Sequence, residues 1–342
     1  MKKLILVSGG TGYIGSHTAV ELIENGYEVV IVDNLANSSL EVLDGIEAIT
    51  GVRPLFEQFD LCNAVKVDDF FQKYPRLEAI IHFAAFKAVG ESVENPLSYY
   101  HNNLESLINL LDGMNRYGVP HLVFSSSCTV YGQPDQLPVT ENAPVKPAES
   151  PYGNTKQISE EIIRDAIAAY PRLRTIALRY FNPIGAHPSA MIGELPRGIP
   201  NNLVPFVTQT AAGVRQELSI FGNDYPTPDG SAIRDYINVV DLARAHVVSI
   251  GRLLDALNSK PFEFFNLGTG TGSSVLEVVR TFEEVTGVKV KYRIVGRRPG
   301  DVVQVWADTS RANEVLGWKA TTPLGDTLLS AWNWEKKLRG LD

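Results

Sequence analysis

"VSGGTGYIGSH", residues 7–17, decides the fold. It follows the apolar run "LILVS" (4–8) and opens a stretch of helical period at 13–25. Gly9, Gly12 and Gly15 form G-x-x-G-x-x-G. Glycines at a strand-to-helix turn let the main chain bend tightly and approach a pyrophosphate, which rests on the helix N-terminus. Gly15 also lets the helix pack closely on a sheet. Glycines alone would equally suit a flexible turn, so the surroundings carry the reading. A second apolar run, "EVVIVD" (28–33), ends in Asp33, 18 residues beyond Gly15. A carboxylate there accepts hydrogen bonds from an adenosine ribose and repels a 2′-phosphate. "DNLANSS" (33–39) contains no arginine, so NAD is expected rather than NADP.

Outward from this turn, short apolar runs alternate with amphipathic stretches. "EAIIHFA" (78–84), "HLVFSS" (121–126) and "TIALRYF" (175–181) read as strands, with "PLFEQFD" (54–60) a weaker one. Segments 63–74, 96–117 and 153–169 have helical length and period. The alternation predicts an α/β fold: a Rossmann-type, doubly wound parallel sheet with crossover helices, spanning residues 1–180. After Tyr180, "FNPIGAHPSAMIGELPRGIPNN" reads as a long irregular loop. Helices are expected at 203–213, 239–256, 274–286 and 322–337, with short strands between them. Residues 181–342 are therefore expected to form a smaller α/β substrate-binding domain. Its boundary is soft, with some segments returning to the first domain.

Bulk properties exclude several classes. The chain has 342 residues, a formal charge of −8 and a pI near 5.4. That balance argues against nucleic acid or an anionic membrane as partner. Two cysteines, Cys62 and Cys128, cannot build a disulfide framework and suit a reducing cytoplasm. No apolar run approaches membrane-spanning length. The six histidines stand apart, and no residue cluster has metal-ligand spacing, so no metal is expected.

"SPYGNTK" (150–156) places Tyr152 and Lys156 one turn apart on a helix face. By spacing alone the pair could be a surface contact or an acid/base with a tuned pKa. The glycine pattern with a later Tyr-x-x-x-Lys, and "FSSSCTVYG" (124–132) between them, resembles the extended short-chain dehydrogenase/reductase family. That resemblance implies catalysis by Ser127, Tyr152 and Lys156. Lowering a phenol from about 10 to about 7 needs roughly 4 kcal/mol. Lys156 and an oxidised nicotinamide would supply it, and Ser127 would bond the reacting oxygen.

Within that family the chain resembles the UDP-glucose 4-epimerases over nearly its whole length. The matching segments include "HFAAFKAVGESVENPLSYYHNN", "RYFNPIGAHPS", "GIPNNLVP", "IFGNDYPTPDGSAIRDYINVVDLA" and "RRPGDV". The resemblance implies that Tyr13, Ile14 and the stretch Asp33, Asn34, Leu35, Ala36, Asn37 and Ser38 touch NAD. Asp60 and Leu61 would flank the adenine. Phe83, Ala84, Ala85 and Lys87 would line the middle of the cofactor, with Asn102 nearby and Phe181 at the nicotinamide end. On the substrate side, Asn182, Asn202 and Leu203 would meet a UDP-hexose. Ile220 and Phe221 would pack by its uracil. Arg234 and Arg298 would bind its diphosphate and Asp301 its ribose, while Ser127 and Val305 would border the sugar. A guanidinium fork suits a diphosphate, and an apolar slot suits a uracil.

The implied reaction is reversible C4 epimerisation of UDP-glucose and UDP-galactose through a 4-keto sugar, with NAD tightly held. A homodimer through two long helices is also implied. Val305 lies where bulkier relatives carry tyrosine, so the 2-acetamido sugars UDP-GlcNAc and UDP-GalNAc are expected substrates too. The alternatives are a UDP-uronate epimerase or decarboxylase and a nucleotide-sugar 4,6-dehydratase. Dehydratases place an Asp–Glu pair just before "VYG", where this chain has Cys128 and Thr129. A non-catalytic dinucleotide sensor would be expected to lose the tyrosine or the lysine, and both are present.

Overall fold

A computed structural model describes residues 2–297 and 302–341. Six strands alternate with helices through the first half of the chain. They are β1 (Leu4–Ser8), β2 (Glu28–Asp33), β3 (Leu55–Gln58), β4 (Leu77–His82), β5 (His121–Ser127) and β6 (Arg174–Tyr180). Between them run α1 (Tyr13–Glu24), α2 (Glu41–Thr50), α3 (Ala64–Lys73), α4 (Val89–Glu94), α5 (Pro96–Tyr100), α6 (Ser106–Tyr117) and α7 (Pro151–Ala169). The second half carries β7 (Asn182–Ile184), β8 (Leu218–Phe221), β9 (Ile233–Arg234), β10 (Tyr236–Asn238), β11 (Phe262–Leu267), β12 (Ser273–Ser274), β13 (Tyr292–Val295) and β14 (Gln304–Val305). Its helices are α8 (Leu203–Ala211), α9 (Val239–Leu254), α10 (Val275–Thr286) and α11 (Leu324–Arg339).

The main sheet has seven strands in the order β11-β6-β5-β4-β1-β2-β3, all parallel. This is the doubly wound α/β fold expected. Alternate residues of each strand face opposite layers, so two cores form. Ile5, Val7, Val29 and Ile31 join residues of α1 and α9 on one face. Leu4, Leu6, Val30 and Val32 join residues of α3 and α6 on the other. The strand order reverses between β1 and β4, which opens a crevice at their carboxyl ends. A third core gathers Val204, Val207, Ile220, Phe282 and Trp332 in the later part of the chain.

Two details add to the sequence reading. The helix expected at 96–117 is broken by a π-helical turn, His101–Glu105, that carries Asn102 and Asn103. Such turns concentrate at functional sites. The seventh strand, β11, pairs with β6 from some 80 residues further along the chain (262 − 180 = 82).

Candidate active site

At the cofactor end, the glycine turn is built for close approach. Gly9 has φ +70°, and a Cβ there would stand 2.8 Å from the Ala84 nitrogen. A Cβ on Gly15 would stand 2.3 Å from the Gly9 carbonyl oxygen. Helix α1 opens at Gly12 with no side chain capping its first turn. First-turn N–H groups left without a side-chain cap suit a diphosphate. Asp33 stands at the rim. Its Oδ2 accepts from the Thr11 N–H at 3.3 Å, and its Oδ1 from the Leu35 N–H at 2.9 Å and from Ser38 Oγ at 3.1 Å. Asn34 Nδ2 donates to Asp60 Oδ2 at 3.0 Å, which brings the two flanks of the expected adenine position together. Ile14 packs on the first core, and Phe83 meets the His246 ring. Ala36 and Asn37 lie exposed in the loop after β2, and Ala85 lies in the loop after β4. These residues fit NAD.

Two of the expected cofactor residues have buried side chains. The Leu61 side chain is buried in the second core, and Phe181 is buried with Val130, Tyr131 and Val139. Lys87 instead points its amine at Glu194, 3.7 Å away, and lies over the Tyr13 ring. The Tyr13 hydroxyl donates to the Gly185 carbonyl at 2.6 Å. Asn102 Nδ2 donates to Asn103 Oδ1 at 2.9 Å.

The catalytic trio converges. Ser127 ends β5, where it is in register with Tyr180. Ser150 caps α7 by accepting from the Gly153 N–H at 3.2 Å, and Pro151 occupies the first turn. That start sets Tyr152 on the first turn and Lys156 on the second. The Lys156 amine is buried and donates to the Ser125 carbonyl at 2.7 Å. It lies 6.0 Å from the centroid of the Tyr152 ring. Burial pulls Lys156 down to about 8, opposed by the nearby Glu160 carboxylate. Burial pushes Tyr152 up to about 12, opposed by its hydrogen bond with Ser127. Burial is the largest influence on the phenol, while the Lys156 amine is engaged by the Ser125 carbonyl.

The residues expected to meet the substrate are spread over β7, β8, β9, β14 and the start of α8. Arg234 and Val305 are in-register partners on β9 and β14. The Asn182 N–H donates to the Asp235 carbonyl at 3.0 Å. Asn202 Nδ2 donates to Glu194 Oε1 at 2.6 Å, and Leu203 begins α8. Ile220 corrects an expectation. Strand alternation turns its side chain into the third core, 1% exposed, whereas Phe221 stands 42% exposed. Only Phe221 offers a ring, and Ile220 offers main chain. Arg298 and Asp301 lie outside the described residues.

Several structural residues were not read from the sequence. Glu160 is buried between Arg179, whose Nε donates at 2.8 Å, and Ser126, whose Oγ donates at 2.7 Å. A charge inside the apolar strand "TIALRYF" was the signal for such a pair. Asp235 is fully buried and accepts from the Thr269 N–H at 2.8 Å and the Ala307 N–H at 3.1 Å. Asn103 joins the Phe86 main chain to Thr155 on α7. Glu194 and Arg197 reach the cofactor side from the irregular loop, which no local pattern signals.

Comparisons with known proteins agree with this geometry. The GDP-mannose 4,6 dehydratase family model matches residues 6–329. The UDP-glucose 4-epimerase of Bacillus subtilis (strain 168) is 52% identical over 331 residues, covering 97% of this chain and 96% of the relative. That of Dictyostelium discoideum is 51% identical over 333 residues, covering 97% and 95%. Among solved structures, the UDP-glucose-4-epimerase of Stenotrophomonas maltophila, with bound NAD and formylated UDP-arabinopyranose, superposes with a TM-score of 0.95. It is 47% identical and covers 99% of each chain. The Bifidobacterium longum enzyme, in complex with NAD+ and UDP, gives 0.93 at 44% identity and 98% of each chain. Cys128 and Thr129 stand where a dehydratase's carboxylate pair was expected. The chain belongs to the UDP-glucose 4-epimerase family of extended short-chain dehydrogenases/reductases.

Proposed function

We propose that this protein interconverts UDP-glucose and UDP-galactose by inverting C4, with NAD retained through the cycle. The observation that carries this reading is the convergence of Ser127, Tyr152 and Lys156 beside a glycine turn, in a chain lacking the dehydratase carboxylates. Bound NAD supplies reversible uptake and return of the C4 hydride and, when oxidised, a positive charge beside the phenol. Tyr152 takes the C4 hydroxyl proton and, after the 4-keto sugar has presented its other face, returns the proton to the C4 oxygen. Ser127 bonds the reacting oxygen. Lys156 is fixed by the Ser125 carbonyl, which orients its remaining N–H groups toward Tyr152 and a ribose. The residues 1–180 hold the cofactor and 181–342 grip the uridine diphosphate, through Arg234, Arg298, Asn182, Asn202, Leu203 and Asp301. Phe221 supplies the uracil's apolar wall. A firm hold on the diphosphate and a loose one on the hexose allow the 4-keto sugar to turn over.

Val305 leaves the sugar pocket wide, so 2-acetamido sugars are substrates as well. Exposed Val93, Leu97 and Ile108 on α4, α5 and α6 support a homodimer through helices. Free thiols at Cys62 and Cys128 suit the cytoplasm. No helix of the described residues is long and apolar enough to cross a membrane. The test follows the sugars by NMR from either side. UDP-glucose and UDP-galactose should reach one common ratio from both directions. A 6-deoxy-4-keto product would instead mean dehydration.

A further inference from the structure

The irregular loop crosses from the second half of the chain to the adenosine rim of the first. Ala186 and Gly193 pair antiparallel, and the His187 N–H donates to the Ile192 carbonyl at 3.1 Å, so the loop doubles back narrowly. Its tip rests on α2 at Gly45. A Cβ there would stand 2.7 Å from both Ile192 Cγ2 and the Met191 carbonyl oxygen. Its returning limb is fixed to α11, where Trp334 Nε1 donates to the Glu194 carbonyl at 2.9 Å. The Glu194 side chain accepts from Asn202 at 2.6 Å and faces Lys87 at 3.7 Å.

From that footing Arg197 reaches the loop after β2. Its Nη1 donates to the Ala36 carbonyl at 3.0 Å and its Nη2 to the Ser38 carbonyl. The loop it grips contains Leu35 at φ +60°, an uncommon conformation for a non-glycine residue that surrounding contacts must maintain. The loop's short-range ties are local: Leu35 N–H to Asp33, Ala36 N–H to Asn34, and Ser38 Oγ to Asp33. The Thr11–Ser38 and Asn34–Asp60 contacts come from the same half of the chain. Arg197 grips the loop from the other half, across 161 residues.

We propose that Arg197 is a positioning residue that latches the Asp33–Ser38 loop over the adenosine end of bound NAD and slows its release. The proposal rests on the reading that this chain binds NAD. The guanidinium suits the task because two donors in one rigid fork meet two carbonyls that flank Asn37. An exposed arginine contributes little to global stability. A loop that must open before the cofactor leaves converts the same bonds into a slower departure.

The test uses purified holoprotein carrying isotopically labelled NAD, diluted into unlabelled NAD. Arg197→Ala should release label about 5- to 30-fold faster than wild type, the range expected for losing two solvent-exposed hydrogen bonds of ordinary net strength. Arg197→Lys keeps one point-like donor and should fall between them. UDP affinity by calorimetry should stay within about twofold of wild type, since neither carbonyl belongs to the substrate side. Unchanged release from Arg197→Ala overturns the latch. So does faster release with an equal loss of UDP affinity, which would mean general loosening. Wild-type protein that neither carries nor takes up labelled NAD overturns the NAD reading and the latch with it. That failure shows in wild type, whereas failure of the latch shows only in the variants.

Discussion

Val305 and Arg234 sit side by side, in register on the parallel strands β14 and β9. Arg234 is a proposed diphosphate ligand, so the strand pairing fixes Val305 close to where the sugar begins. Val305 also packs with Tyr131, Phe181 and Ala307. A phenol ring at this position would enter space that an acetamido group needs. Overfilling a pocket costs about 1–3 kcal/mol, or about 5- to 150-fold in specificity. Val305→Tyr should therefore lower kcat/KM for UDP-N-acetylglucosamine relative to UDP-glucose by that factor. The comparison is steady-state kinetics on both sugar pairs. An unchanged ratio, or wild type inert to acetamido sugars, contradicts the assignment.

The phenol of Tyr152 is the proposed proton carrier. Tyr152→Phe should cut turnover by about 10²–10⁴-fold, the usual contribution of a positioned acid/base. Binding of UDP, measured by calorimetry, should persist because Arg234 is on a different element. Near-normal turnover would return "SPYGNTK" to a structural role.

Much of this architecture was legible in the sequence because local signals carried it. Strands β1, β2, β5 and β6 are apolar runs within a residue of their expected bounds, and the helix expected at 153–169 is α7, which begins two residues earlier. Gly9, Gly15 and Asp33 could be placed because their chemistry follows from a strand-turn-helix unit. Long-range relations left no local trace. Nothing in "FEFFNL" says that β11 pairs with β6, and nothing in "GELPRGIP" says that Arg197 meets Ala36. The inward turn of Ile220 depended on strand register, which a four-residue strand does not reveal. The direction of the Tyr152 shift depended on burial, which no spacing encodes.

Glu160 and Arg179 form a buried, doubly hydrogen-bonded pair, 3% and 2% exposed at their side chains. Arg179 also lies over the rings of Tyr131 and Phe264, 4.9 and 4.2 Å from their centroids. Removing one partner leaves an uncompensated buried charge, which costs about 3–5 kcal/mol. Glu160→Ala should lower unfolding free energy in urea by about that amount. A loss below about 1 kcal/mol would show that water reaches the guanidinium.

Three imidazoles are buried neutral. Burial pulls His17 and His82 down to about 3 and His246 to about 4. His17 Nδ1 donates to the Tyr13 carbonyl and His246 Nδ1 to the Leu242 carbonyl, so each Nε2 is the bare nitrogen. Among the described residues neither Nε2 has a hydrogen-bond partner. Protonation there would bury an unmatched N–H. Folded pKa values below the unfolded 6.5 mean that the unfolded chain binds protons first as pH falls. The stability is full above about 6.5 and lost progressively toward 3–4. From pH 7.5 to 5.5 each imidazole loses about 1.4 kcal/mol. His121 and His187, also pulled down by burial, act in the same sense, whereas Glu21, Glu141 and Asp235, pushed up by burial, act in the opposite one. The net loss should be about 2–4 kcal/mol by urea unfolding at the two pH values. Equal stability at both would mean that these rings are hydrated in the native state.

The central claim is an epimerase that keeps its own NAD. Purified protein is mixed with UDP-galactose, with no NAD added, and both sugars and free NADH are followed. UDP-glucose should form over many turnovers to a constant ratio, with no NADH accumulating in solution. Conversion that requires added NAD and releases one NADH per sugar oxidised would contradict the account and identify a dehydrogenase.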